Sequence, residues 1–147
     1  MNRQEIVARI IEEQQKVILN LAASVNRYKV ASDLDEESTH DPEDFSQQTQ
    51  AKDMQLRYEK MLREAEQDLV TIQKAEKLSH TVVETGSVVE TEKAVYFIGI
   101  SVPSFEFGGK EVISFSEEAP VFEKMKGKKV GDEVEIGENK MVIRAIY

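Results

Sequence analysis

The chain contains no cysteine, no apolar run near the roughly 18 residues of a membrane span, and no glycine or proline within residues 1–30 or 45–78. Without cysteine there are no disulfides and no thiolate metal sites, and nothing points to an oxidising compartment. The opening "MNRQEIVARIIEEQQ" carries charges where a secretory leader would carry an apolar core, so a cytoplasmic chain with no membrane partner is expected. Two long stretches free of Gly and Pro leave nothing to interrupt a helix. One more absence is local: from Asp33 to Asp44 there is no Lys or Arg, while seven carboxylates crowd into those twelve residues.

Of the 147 residues, 40% are hydrophobic and 32% charged, a balance that suits a surface-rich protein of one ordinary domain or two small ones. The net charge of -9 is unevenly spread: residues 1–30 carry +2, 31–44 carry -7, 45–80 are neutral and 81–147 carry -4. A chain so acidic overall repels a phosphate backbone, which argues against generic nucleic-acid binding through a basic face. No nucleophile and base constellation and no phosphate-binding loop is present, so an enzyme acting alone is not expected.

In the first stretch Ile11, Ile18, Leu21, Val25 and Tyr28 fall on one helical seam, with Gln14 as a polar interruption. In the second, Tyr58, Leu62, Ala65, Leu69 and Ile72 repeat the spacing. Neither helix has the apolar surface to stand alone, so the pattern predicts an antiparallel coiled-coil hairpin over residues 1–79 with its tip at about 31–45. Thirty residues at about 1.5 Å each make an arm on the order of 45 Å. Pro42 suits the first turn of the returning helix, and Asp41 suits its cap. A homodimeric coiled coil is the alternative to this monomeric hairpin.

From about His80 the period shortens. "HTVVETGSVVET", "KAVYFIGISV", "KEVISFS", "DEVEIG" and "KMVIRAIY" are β-branched or aromatic runs between turn residues, which predicts a small antiparallel sheet over 80–147. Pro120 can open a short helix whose apolar face is Val121, Phe122 and Met125, with Gly127 where it ends. The fold class expected is α+β.

The stretches "MKGKKVGDEVEI" (Met125 to Ile136), "ISFSEEAP" (Ile113 to Pro120), "VVETGSVV" (Val82 to Val89) and "SDLDEES" (Ser32 to Ser38) together resemble the Gre family of bacterial transcript cleavage factors. "MKGKKVGDEVEI", Met125 to Ile136, is similar to the family's Gly-Lys-Lys-x-Gly-Asp signature. "ISFSEEAP", Ile113 to Pro120, resembles its Ile-Ser-x-x-Ser-Pro element with two extra residues and Ala119 in place of Ser. "VVETGSVV", Val82 to Val89, resembles the entry strand, and "SDLDEES", Ser32 to Ser38, the tip motif. The resemblance implies an FKBP-like C-terminal domain and a partner, bacterial RNA polymerase, whose secondary channel receives the tip. It assigns Asp33 and Glu36 as tip carboxylates, and Glu118, Ala119 and Pro120, with Phe122 beside them, as docking residues at the channel rim.

Phosphodiester hydrolysis wants charge neutralised and water activated, which two divalent ions about 3.5–4 Å apart supply. Magnesium keeps several waters, so one or two delivered carboxylates suffice to share it. On this reading no cofactor is tightly bound, Mg2+ is shared with the polymerase at Asp33 and Glu36, and the nascent RNA 3' end is met only indirectly. The further acids Asp35, Glu37, Asp41, Glu43 and Asp44 equally suit a channel-occupying inhibitor, and an inert acidic connector in a plain interaction protein is the third alternative. His40 reads as a solvated side chain before a metal ligand, and His80 as structural. Phe105 and Phe107 read as sheet core before partner contact, and Lys124, Lys126, Lys128 and Lys129 as a local patch offset by nearby acids. Arg27 and Lys29 are either steadying groups for an RNA end or solubilising charges.

Overall fold

The structure, a computed structural model, describes residues 2–33 and 42–147, apart from the side chains of Asp44 and Phe45. Two long helices come first, α1 (Arg3–Ser32) and α2 (Pro42–Ala75). They are followed by β1 (Val88–Thr91), β2 (Ala94–Ile98), β3 (Phe105–Phe107), β4 (Lys110–Phe115), α3 (Pro120–Met125), β5 (Glu133–Ile136) and β6 (Asn139–Ile146). This is the α+β order expected, and α2 does begin at Pro42. The cap expected from Asp41 lies outside the described residues.

The six strands lie in the order β3-β4-β2-β1-β6-β5. The sheet departs from the antiparallel one expected, because β2 and β4 run parallel with Tyr96 opposite Ile113. The chain leaves β2 at Gly99, and the crossover segment containing Pro103 cannot fold straight back as a tight hairpin. The remaining strand pairs are antiparallel, and β1 against β6 shifts register between Glu90 and Thr91.

β2 explains why "AVYFI" is apolar without alternation: both faces of the strand are covered. Ala94, Tyr96 and Ile98 enter one core with Phe122 and Met125 of α3, Val134 of β5 and Ile143 of β6. Val95 and Phe97 enter the other, with Val88, Val112 and, from the helices, Ile6, Val7, Ile10 and Ile72. The compact units therefore do not divide between residues 79 and 80. One comprises Met1–Glu13 with Val70–Tyr147, the other Gln14–Leu69. The ends of both helices belong to the first unit because their apolar side chains supply one of its two cores.

Arg3 ties that unit together. Its guanidinium donates to the carbonyls of Gly86 (2.7 Å), Ala75 (2.8 Å) and Tyr147 (3.2 Å). Ala75 ends α2, so a cation meets the negative end of the helix and occupies one of its unpaired carbonyls. Burial lowers the Arg3 pKa from its ordinary value. Gly86 has to be glycine: its φ is +93°, and a Cβ there would stand 3.3 Å from His80 Nε2. His80 is structural, as expected, with its Nδ1 2.6 Å from Glu84.

Candidate functional site at the end of the arm

In the Gln14–Leu69 unit the helices pair antiparallel. Gln14 donates through Nε2 to the Ala65 carbonyl (2.9 Å), and Tyr28 stacks on Tyr58 with ring centroids 5.5 Å apart and planes 10° from parallel. The seam read from the sequence is present: Ile18, Leu21, Val25, Tyr28, Tyr58, Leu62 and Leu69 are half-buried and Ala65 is buried. Gln14, read as an interruption, is 3% exposed and is a working member of the seam.

Toward the far end the seam turns polar. Ser32 and Gln55 are 8% and 5% exposed. Gln48 Nε2 donates to the Ser32 carbonyl at 2.8 Å, satisfying the last carbonyl of α1 from the neighbouring helix. Ser32 Oγ stands 2.9 Å from the Lys29 carbonyl and 3.2 Å from Gln55 Oε1, and its single proton serves one of them at a time. Gln55 Nε2 continues to Glu59 at 2.9 Å. The apolar seam of α2 starts at Tyr58, so its pattern does not include these residues. Their signal is spacing, since Gln48, Ala51 and Gln55 extend the same four-and-three steps back from Tyr58.

Asp33 follows directly. It is exposed, sits in a bend just past α1, and its amide still donates to the Lys29 carbonyl (3.0 Å). With Ser32, Gln48, Thr49 and Lys52 it lines an open depression of about 330 Å³. Its carboxylate is an exposed hard oxygen donor, and Lys52 also lines the depression. One such carboxylate fits an ion completed by another molecule's ligands better than a resident ion. Glu36, Asp35, Glu37, His40 and Asp41 lie outside the described residues, as does the Asp44 side chain; Glu43 is exposed on α2. Arg27 and Lys29 are exposed, and Arg27 lies 5.4 Å from the Tyr28 ring centroid.

The second group of candidates surrounds α3. Glu118 and Pro120 are exposed and Ala119 is half-buried, in a tight turn closed by the Ala119 amide donating to the Ser116 carbonyl (3.0 Å). Phe122 is only 5% exposed and packs in the core. What remains available is its edge, in a groove of about 290 Å³ whose lining includes Val82, Glu84, Glu117 and Lys126. Phe122 thus follows its place on the apolar face of α3 and not its place beside the docking turn. Phe105 and Phe107 are half-buried against the sheet, with the Arg9 guanidinium 4.9 Å over the Phe105 ring. Lys124 and Lys128 line an open basin of about 630 Å³ with Lys140, Glu133 and Glu135, so this surface is of mixed charge and not a basic patch.

Among the described residues no helix is long and apolar enough to cross a membrane, and no group of three or more His, Asp or Glu residues could hold a metal ion. No protein-family model and no curated protein matches the chain. Among solved structures the chain is similar to GreA factor homolog 1 (Gfh1) of Thermus thermophilus, at 15% identity over 98% of this chain and 94% of that one, with a TM-score of 0.33.

Proposed function

We propose that this chain belongs to the Gre family and binds bacterial RNA polymerase as a regulator of transcript elongation. The FKBP-like domain docks at the channel rim through Glu118, Ala119 and Pro120, with Phe122 bracing that turn from the core. The arm carries Asp33 and Glu36 into the secondary channel, where they stimulate cleavage of backtracked transcripts. The observation that carries this reading is an exposed carboxylate, Asp33, at the end of a paired-helix arm whose seam is closed up to the preceding residue. The motifs around Gly127 to Asp132 and Ser32 to Ser38 support the same assignment.

The protein is no enzyme by itself. Asp33 and Glu36 would hold a Mg2+ shared with the polymerase, which when bound neutralises phosphate charge and activates water. The chain's own part is to carry oxygen donors at the end of the arm. Lys52, which lines the same depression as Asp33, favours a second reading. An ammonium that neutralises the carboxylate would leave a protein that occupies the channel and inhibits.

The test is cleavage in a backtracked elongation complex, with wild type and the Asp33→Ala/Glu36→Ala double variant. Stimulation by wild type that falls at least about a hundredfold in the variant, with polymerase binding retained, establishes donated carboxylates. Binding accompanied by inhibition establishes the second reading. Failure of wild type to bind core polymerase rejects both.

A further inference from the structure

A coiled-coil seam that ends in Ser, Gln and Gln gives up apolar burial that Leu or Ala would supply. Polar residues at seam positions lower stability and in exchange fix register, because only one alignment pairs them. Here the pairing is specific. Gln48 caps the last carbonyl of α1 across the interface, Gln55 meets Ser32 Oγ and Glu59, and Tyr28 stacks face to face on Tyr58 one layer further in. A slip of one heptad, about 10 Å along the axis, would break the contacts that cross between the helices, Gln48 to the Ser32 carbonyl, Ser32 to Gln55 and Tyr28 on Tyr58, and leave Ser32 and Gln55 only the partners within their own helices, Lys29 and Glu59, at a cost that an all-apolar seam would not impose.

We infer that Ser32, Gln48 and Gln55 form a polar lock that sets the register of the arm and so fixes where the Asp33 carboxylate leaves α1. They are positioning residues, acting through Asp33, and the purpose of that positioning rests on the polymerase reading above, although the lock itself does not. The stacked tyrosines alone cannot replace the lock. Aromatic faces tolerate sliding, whereas a hydrogen bond to one carbonyl does not.

Because the chain has no native cysteine, spin labels at Asp33→Cys and Glu66→Cys report the arm's register directly by double electron-electron resonance. With the lock intact, one narrow distance distribution is expected. In a Gln48→Leu/Gln55→Leu background the distribution should broaden or split while the melting temperature rises by about 2–4 °C. A single narrow distribution unchanged by the two leucines overturns the inference, since an apolar seam would then hold register unaided. With the labels absent and Asp33 intact, the same leucine variant should bind polymerase as wild type does yet lose on the order of tenfold in cleavage stimulation. A loss of activity alongside a gain of stability is the reverse of what a merely structural role produces. Full activity would show that the lock is not needed to position Asp33. If wild type does not bind polymerase, the functional reading fails and the distance measurement still decides the lock.

Discussion

Every residue of β2 is buried, Val95 and Ile98 fully, whereas in the arm Ile18, Leu21 and Val25 stay half-exposed and the residues sealed deepest include Gln14 and Gln55. The two regions are held by different means. In the sheet, both faces of the central strand are covered by apolar side chains, so stability comes from area removed from water and from close packing. In the arm, two helices cover only one stripe of each other, so apolar burial is thin and a few hydrogen bonds carry alignment. The lesson is that the sheet is built for stability and the arm for placement.

That contrast can be broken by mutation. The largest effect is expected at Phe97, 1% exposed: Phe97→Ala should cost about 3–5 kcal/mol in denaturant unfolding, while Leu62→Ala in the half-buried seam should cost only about 1–2. Equal losses at the two sites would contradict the division of labour. Next comes Arg3, which donates to three carbonyls in the sheet-bearing unit. Arg3→Ala should cost about 3 kcal/mol, and Arg3→Lys should recover less than half, because an ammonium cannot fork toward three acceptors. Thermal melts of both variants check this, and full recovery by lysine would reduce Arg3 to a simple charge.

The smallest effect sharpens the arm side. Burial and, after it, the neighbouring Glu64 raise the Asp68 carboxyl above its ordinary pKa. The ionised form is thus disfavoured in the folded state: the protonated carboxyl's contribution is complete below the unfolded-state pKa of about 3.9 and is lost as pH rises through the folded pKa. At pH 7 Asp68→Asn should therefore stabilise, by only a few tenths of a kcal/mol because the site is largely solvated. The gain should vanish in melts at about pH 3, below the ordinary carboxylate value. A variant that destabilises at pH 7 would show that the carboxylate has a favourable partner.

Much was legible in the sequence because its signals are local. Periodicity gave the two helices and five of the six strands, β3 being too short to show as a run, while Pro42 gave the start of α2 and Pro120 and Gly127 the limits of α3. The buried role of Gln14 and the lock at Gln48 and Gln55 were hidden because glutamine at a seam position reads as an interruption until a partner carbonyl is in view. The parallel β2–β4 pair was hidden as well, since strand direction depends on where a crossover lands and not on the strand's own residues.

By itself, then, the sequence determined which segments become helix or strand, where charge accumulates, and that Asp33 stands at the head of the acidic segment, all consequences of local spacing and residue type. Only the tertiary structure decided that Ile6, Val7, Ile10 and Ile72 complete a sheet core and that Arg3 gathers three carbonyls. These depend on which surfaces meet across long sequence separations, and burial free energy is settled by that meeting rather than by any residue's neighbours in the chain.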